Sequence, residues 1–146
     1  MVAFGVFSII VTTVAAIFLG SLRDARFVSS QAAAIDNAGQ VIEQIAREIR
    51  TGYNFDVSPQ GSSPSLSFTN YRGDSTIYSF DNVNHQIIKN GNPITSHNIS
   101  ITGSFYITQP SLTTPRITIS AIVKDAKGRI LSNIQTTVSA RLIYYK

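Results

Sequence analysis

The sequence predicts an α+β fold, in which one long N-terminal helix packs on a small antiparallel β-sheet. Three observations carry this. Met1 to Leu22 hold no charged side chain and are mostly apolar. A helical period then continues to about Thr51. Beyond it the residues alternate apolar and polar in short runs separated by turn residues, as strands do. The expected organisation is an apolar half-helix over 1–22, an amphipathic half-helix over 23–51 and a β domain over 52–146.

Met1–Leu22 would be about 33 Å long as a helix, enough to cross the hydrocarbon core of a bilayer. Ser8, Thr12, Thr13 and Ser21 are its polar side chains. Hydroxyls can bond back to helix carbonyls and are tolerated in lipid. Gly5, Ala15, Ala16 and Gly20 are small and permit close approach of a second helix. A plain single-span anchor fits the same residues. A cleaved secretory signal fits less well, because no Lys or Arg precedes Arg23 and the helical period runs through the place of cleavage. Arg23 and Arg26 follow the apolar run, and such flanks ordinarily stay in the cytoplasm. Taken literally, they would leave the β domain inside the cell.

In the second half of the helix, Val28, Ala32, Ile35, Ala38, Ile42, Ile45 and Ile49 form one apolar stripe. Asp36, Gln40, Glu43, Arg47 and Arg50 fall mainly on the other side, and Glu43 and Arg47 form an i,i+4 pair in the favourable order. The stripe is expected to lie on the sheet, with Ile35, Ile42, Ile45 and Ile49 buried. Thr51-Gly52 supplies the helix end. A helix over residues 1–51 would be about 75 Å long, more than a chain of this size can bury, so the first 20 or so residues are expected to make no contacts in the monomer.

Asp56 to Ser65, DVSPQGSSPS, reads as an exposed linker. In the next run Leu66, Phe68 and Asn70 alternate with Ser67, Thr69 and Tyr71. A turn at Arg72-Gly73-Asp74 leads to a strand over Ser75–Phe80. Asp81–Asn84 is a polar turn and His85–Lys89 a short strand. Asn90-Gly91 is the strongest hairpin signal, since both residues accept positive φ. Over Asn98–Thr108, Ile99, Ile101, Phe105 and Ile107 share one face. Gln109–Pro115 is a loop. Arg116–Lys124 and Arg129–Tyr144 are strands joined by a turn at Asp125–Gly128, with Ile130, Ile134, Val138, Ala140 and Leu142 as the core face of the last. Six or so strands joined by short turns imply an antiparallel meander.

The 12 basic and 8 acidic residues are spread singly, with no basic stripe interleaved with aromatics, so nucleic-acid binding is weakly supported. No cysteine is present, which excludes disulfides and thiolate metal sites. His85 and His97 each sit beside Asn in turn-rich stretches and read as solvated residues. Asp74, Asp81 and Asp125 fall at turns, where Asp bonds neighbouring backbone. Asp81-Asn82-Val83-Asn84 faintly suggests a calcium loop but lacks its Gly and distal Glu. Asn98-Ile99-Ser100 fits a glycosylation acceptor. No residues are assigned as catalytic, cofactor-binding or metal-binding, and the chain reads as a non-enzyme.

MVAFGVFSIIVTTVAAIFLGSLRDAR resembles the start of type IV pilin-like proteins, and the likeness in layout covers the whole chain. Precursors of that family carry a short basic leader ending in Gly, then a mature Phe or Met and a glutamate at the fifth mature position. Met1-Val2-Ala3-Phe4-Gly5-Val6-Phe7 looks like the stretch just after that glutamate, so the sequence is expected to start one or two residues past it. The missing leader would supply the cytoplasmic basic flank. No position here matches the family's processing residues. Ala34–Thr51 followed by SLSFTNYRGDSTIYSF looks most like minor pseudopilins of type II secretion or competence systems, notably the J-type subunit. The resemblance implies a single-pass protein of the cytoplasmic membrane with an extracytoplasmic β domain. It also implies assembly with other pilin-like subunits, an assembly machinery and a prepilin peptidase. Whether the filament serves secretion, DNA uptake or adhesion stays open. The alternatives are a membrane-anchored extracytoplasmic binding domain, such as a sensor or adhesin, and an envelope enzyme that no convergent acid, base or nucleophile supports.

Overall fold

The computed structural model describes residues 2–56, 64–96, 99–108, 115–125 and 128–140. The chain divides into two compact units, Met1–Ala33 and Ala34–Lys146. One helix, α1 (Val2–Thr51), contributes to both. Its side chains from Ala3 through Ser30 are all exposed.

In the second unit α1 ends where the Gly52 N–H donates to the Ile49 carbonyl at 3.1 Å. The glycine is needed for space, because a Cβ at position 52 would lie 2.5 Å from the Phe68 ring and 3.1 Å from the Thr69 carbonyl. The left-handed residue that turns the chain is Asn54, at φ 55°. Among the described residues eight strands follow: β1 (Tyr53–Asp56), β2 (Ser65–Thr69), β3 (Ser75–Asp81), β4 (Gln86–Lys89), β5 (Asn92–Pro93), β6 (Ser100–Thr108), β7 (Arg116–Lys124) and β8 (Ile130–Ser139). They form two antiparallel meanders, β1-β2-β3-β4-β5 and β6-β7-β8. The α+β class, the long helix and the antiparallel pairing are as the sequence predicts, whereas the single sheet of six or so strands is corrected to two sheets.

One core joins these elements. Ala38, Val41, Ile42, Ile45 and Ile49 of α1 are buried with Leu66, Phe68, Tyr78, Phe80 and Ile87 of the first sheet and Ile101, Phe105, Ile117, Ile119 and Val123 of the second. Phe80 and Phe105 meet at 5.0 Å between centroids. Gly103 makes room for this pair, since a Cβ there would lie 2.8 Å from the Phe80 ring. The turn after β3 also reaches the second sheet, where the Gly103 N–H donates to Asn82 Oδ1 at 3.1 Å and the Ile101 N–H to the His85 carbonyl at 2.8 Å.

The helical stripe is shorter than its periodicity suggests. Val28 is 62% exposed, Ala32 is exposed and Ile35 is half-buried, whereas Ala34 begins the core. The buried stretch from Ala34 to Ile49 is about 24 Å long, which is about the width of a small β domain. Within it Val41 and Ala46 are also buried, so the apolar face is wider than one line of isoleucines.

At the last strand, Val138 and Ala140 are buried and Ile134 is partly buried, but Ile130 is 62% exposed. Val123 pairs with Ser132 and Lys124 with Ile130, so Leu131 is an extra residue. Such a bulge swaps the faces before and after it, which turns Ile130 outward. Leu142 lies outside the described residues, as do most of the expected linker and most of the loop before Pro115. The strand expected over Leu66–Tyr71 stops at Thr69, and Asn70 and Tyr71 enter the turn. His85 leaves the expected His85–Lys89 strand and sits in the turn at φ 56°.

Candidate membrane and assembly surface

The first unit presents an apolar helix surface. From Ala3 on, α1 is long and apolar enough to cross a membrane, with none of its apolar window buried. Its threonine hydroxyls are satisfied within the helix. Thr12 Oγ1 donates to the Ser8 carbonyl at 2.9 Å and Thr13 Oγ1 to the Ile9 carbonyl at 2.8 Å. The helix therefore offers lipid or another helix almost no unpaired polar group over these turns.

The surface has two faces. At about 100° per residue, Gly5, Thr12, Thr13, Ala16 and Gly20 fall within an arc of about 100°, with Ile9 as the large side chain among them. Phe4, Phe7, Val11, Val14 and Phe18 fall on the far side. A Cβ added at Gly5 or at Gly20 would meet nothing within 4 Å, so the small face is open. Ala15 lies about 100° from Ala16 and outside this arc. Of the four small residues the sequence singles out, the helix thus groups Gly5, Ala16 and Gly20 and separates Ala15. Thr12 and Thr13 join the group, a placement legible from helical spacing alone.

A polar pocket of about 270 Å³ lies in the second unit, lined by Glu48, Thr51, Asn70, Tyr71, Arg72, Asp74 and Lys89. Lys89 Nζ contacts Glu48 Oε1 at 2.6 Å and sits 5.3 Å from the centre of the Tyr78 ring. Burial pushes the Glu48 carboxyl up, but hydrogen bonds from Lys89 and Tyr78 and the Lys89 charge outweigh it and hold Glu48 below the usual carboxylate range. Burial, and then the Glu48 charge beside it, push the Tyr78 phenol well above its ordinary value. Its hydroxyl is buried without a well-aligned hydrogen bond. Glu48 is thus held ionised and Tyr78 protonated, so neither is poised to exchange a proton near neutral pH. At the rim, Arg72 Nε donates to the Tyr71 hydroxyl at 2.7 Å. Sequence reading missed this cluster; its one signal is an acid, Glu48, set between the buried Ile45 and Ile49.

The other singled-out residues are dispersed. Asp81 Oδ1 accepts from the backbone N–H groups of Val83 at 3.0 Å and Asn84 at 2.9 Å, and the Asn84 hydrogen bonds hold its carboxyl below the usual range. Asp125 Oδ1 accepts from the Arg129 N–H at 2.8 Å. Both carboxylates organise turns, as the sequence suggests. Asp74 sits in a turn built instead by Asn70, whose Oδ1 accepts from the N–H groups of Arg72 and Asp74 at 2.9 and 3.0 Å. His85 is exposed, and His97 and Asn98 lie outside the described residues. Glu43 and Arg47 pair at 3.2 Å, both largely exposed. Among the described residues no three His, Cys, Asp or Glu side chains come together in a way that could hold a metal ion. Compared with family models, curated proteins and solved structures, the chain matches none of them.

Proposed function

We propose that the chain is a minor pilin-like structural subunit, stored in the cytoplasmic membrane by the apolar half of α1 and assembled through that same surface into a filament. The observation that carries this reading is the two-faced apolar half-helix. A lone anchor needs only apolar length, whereas an assembling helix needs a face on which a neighbour can come close. Gly5, Ala16 and Gly20 with Thr12 and Thr13 form such a face, and the phenylalanines opposite suit lipid. The β domain is read as extracytoplasmic and as the source of subunit-specific contacts. The filament could serve secretion, DNA uptake or adhesion.

The test compares the two helix faces in the cells that make the protein. Ala16→Trp should abolish co-assembly with other membrane-anchored subunits while membrane insertion persists, because Trp is apolar enough to partition but keeps backbones apart. Val14→Trp, on the opposite face, should assemble normally. Cysteines at Thr12 should crosslink to partner subunits, and cysteines at Phe18 should not. Equal behaviour of the two faces would reduce the helix to an inert tether and favour a membrane-anchored binding domain.

A further inference from the structure

Among the described residues the two sheets have four edges, at β1, β5, β6 and β8. Natural edge strands are usually shortened, bent, charged or covered, because an open row of backbone N–H and C=O groups invites another strand. Three edges here follow that rule. β1 has four residues, an irregular register and a terminal Asp56. β5 has two residues, one of them Pro93. β6 is capped at Ile101 by the His85 carbonyl and at Gly103 by the Asn82 side chain.

β8 does not follow it. The strand runs for ten residues, ILSNIQTTVS, without a charge or a proline. Its one bulge lies at the start, and pairing is regular from Ser132 to Ser139. The Ala140 N–H donates to the Pro115 carbonyl at 3.2 Å. Antiparallel ladders alternate, so the even-numbered residues of β8 bond β7. Asn133, Gln135, Thr137 and Ser139 then direct N–H and C=O at the open edge. The Thr118 and Thr137 hydroxyls, 2.8 Å apart, fit the close approach of a pair without ladder bonds. Among the described residues no hydrogen bond engages these outward backbone groups.

We propose that β8 is a homotypic docking edge, pairing antiparallel with β8 of a second copy in a register centred on Gln135. Only an extended strand can satisfy alternating N–H and C=O groups along a straight edge, and β8 complements itself. In this register Gln135 faces Gln135 of the copy, and Asn133 faces Thr137, so the residues with open backbone groups pair with one another. The side chains across the seam are amides and hydroxyls on one face and Ile134 against Thr136 on the other. No like-charge pair falls within Ile130–Ser139; just beyond it this register sets Arg129, whose charge is paired with Asp125, against position 141 of the copy, an arginine. A two-fold pairing also closes both open edges at once. The proposal stands on the sheet edge alone and is independent of the role of the helix.

The absence of cysteine makes the register testable in the full chain held in detergent micelles. Opposed hydrogen-bonded residues have Cα atoms about 5.5 Å apart, within disulfide reach. Gln135→Cys should form disulfide dimers at least about ten times faster than Asn133→Cys, whose own copy lies four positions away. A mixture of Asn133→Cys and Thr137→Cys chains should restore fast crosslinking between the two variants. Gln135→Pro should abolish the Asn133/Thr137 crosslink while the circular-dichroism melt stays close to the parent, since the deleted N–H serves no ladder bond. If the proline variant does not fold, the register comparison still decides. Equal rates at positions 133 and 135, or no crosslinking at either, would overturn the homotypic edge. Protection of the thiol of the Gln135→Cys variant by a different protein, without self-crosslinking, would overturn the second copy as occupant.

Discussion

At the scale of single residues, the core is built from side chains that the sequence marks plainly and from one cluster that it does not. Ile42, Ile45 and Ile49 lie on a legible helical stripe and are buried. Glu48 sits on the same helix, and its partner Lys89 is 41 positions later, so no local pattern announces the pair. The pair gives stability a defined pH dependence. The folded carboxyl is held below its ordinary 4.5, so its contribution is complete above that value and is lost as pH falls through the lowered one. Glu48→Gln should therefore destabilise the β domain at neutral pH, and the gap from the parent should shrink in acid. Thermal melts of both proteins between neutral pH and the lower carboxylate range check this. A gap that stays constant with pH would mean that Glu48 contributes by packing or neutral hydrogen bonding alone. Ile77 is 48% exposed while Thr76 and Tyr78 beside it are buried, a facing that alternation alone leaves open, because it fixes two faces without saying which is inward.

At the scale of elements, local signals located strands well and sheets poorly. Alternation marked β2, β3, β6, β7 and β8, and turn chemistry marked the junctions between them. Two short strands went unread. β1 carries only the pair Tyr53 and Phe55, interrupted by the left-handed Asn54. β5 exists because the Asn90-Gly91 turn folds Asn92 and Pro93 back onto Lys89 and Ile88. The division into two sheets depends on which hairpins share a ladder, a long-range property with no local mark. The bulge at Leu131 is likewise invisible until its partner strand is known. The hairpin at Asn90-Gly91 is the best-marked element, with φ of 49° and 85° at its two central residues. Asn90 also ties the turn to β3, its Oδ1 accepting from the Ile77 N–H at 2.7 Å and its own N–H donating to the Ile77 carbonyl at 2.9 Å. Gly91→Val should cost about 1–2 kcal/mol, since a β-branched residue is forced into the left-handed region. Amide exchange should rise first at Ile94, whose N–H donates to the Ile87 carbonyl at 2.9 Å across this hairpin. Unchanged exchange there would mean that β5 is held by something other than its turn.

At the scale of the whole molecule, one helix runs through both compact units, exposed over its apolar part and buried on one face from Ala34 on. Its residues up to Ala33 belong to one compact unit and those from Ala34 to the other, although no proline or helix break separates them. The change of environment is written in the residues as a change of pattern, from uniformly apolar to striped, but the pattern changes too early. Val28 and Ala32 continue the stripe in phase yet remain exposed, because periodicity reports the face of a helix and not where the covering surface stops. Since burial begins at Ala34, removing the first 25 residues should delete no core side chain. The remaining chain should be soluble without detergent, should melt cooperatively and should keep the near-ultraviolet signal of its tyrosines. Ile42→Asp in that shortened chain should unfold it, because an unpaired carboxylate at a position 4% exposed costs several kcal/mol. Val28→Asp in the same background should be nearly silent, within about 0.5 kcal/mol, since that side chain already faces solvent. A shortened chain that aggregates or melts without cooperativity would show that the apolar half is part of the fold itself. An Ile42→Asp variant as stable as its parent would mean that the helix meets the sheets in a different register.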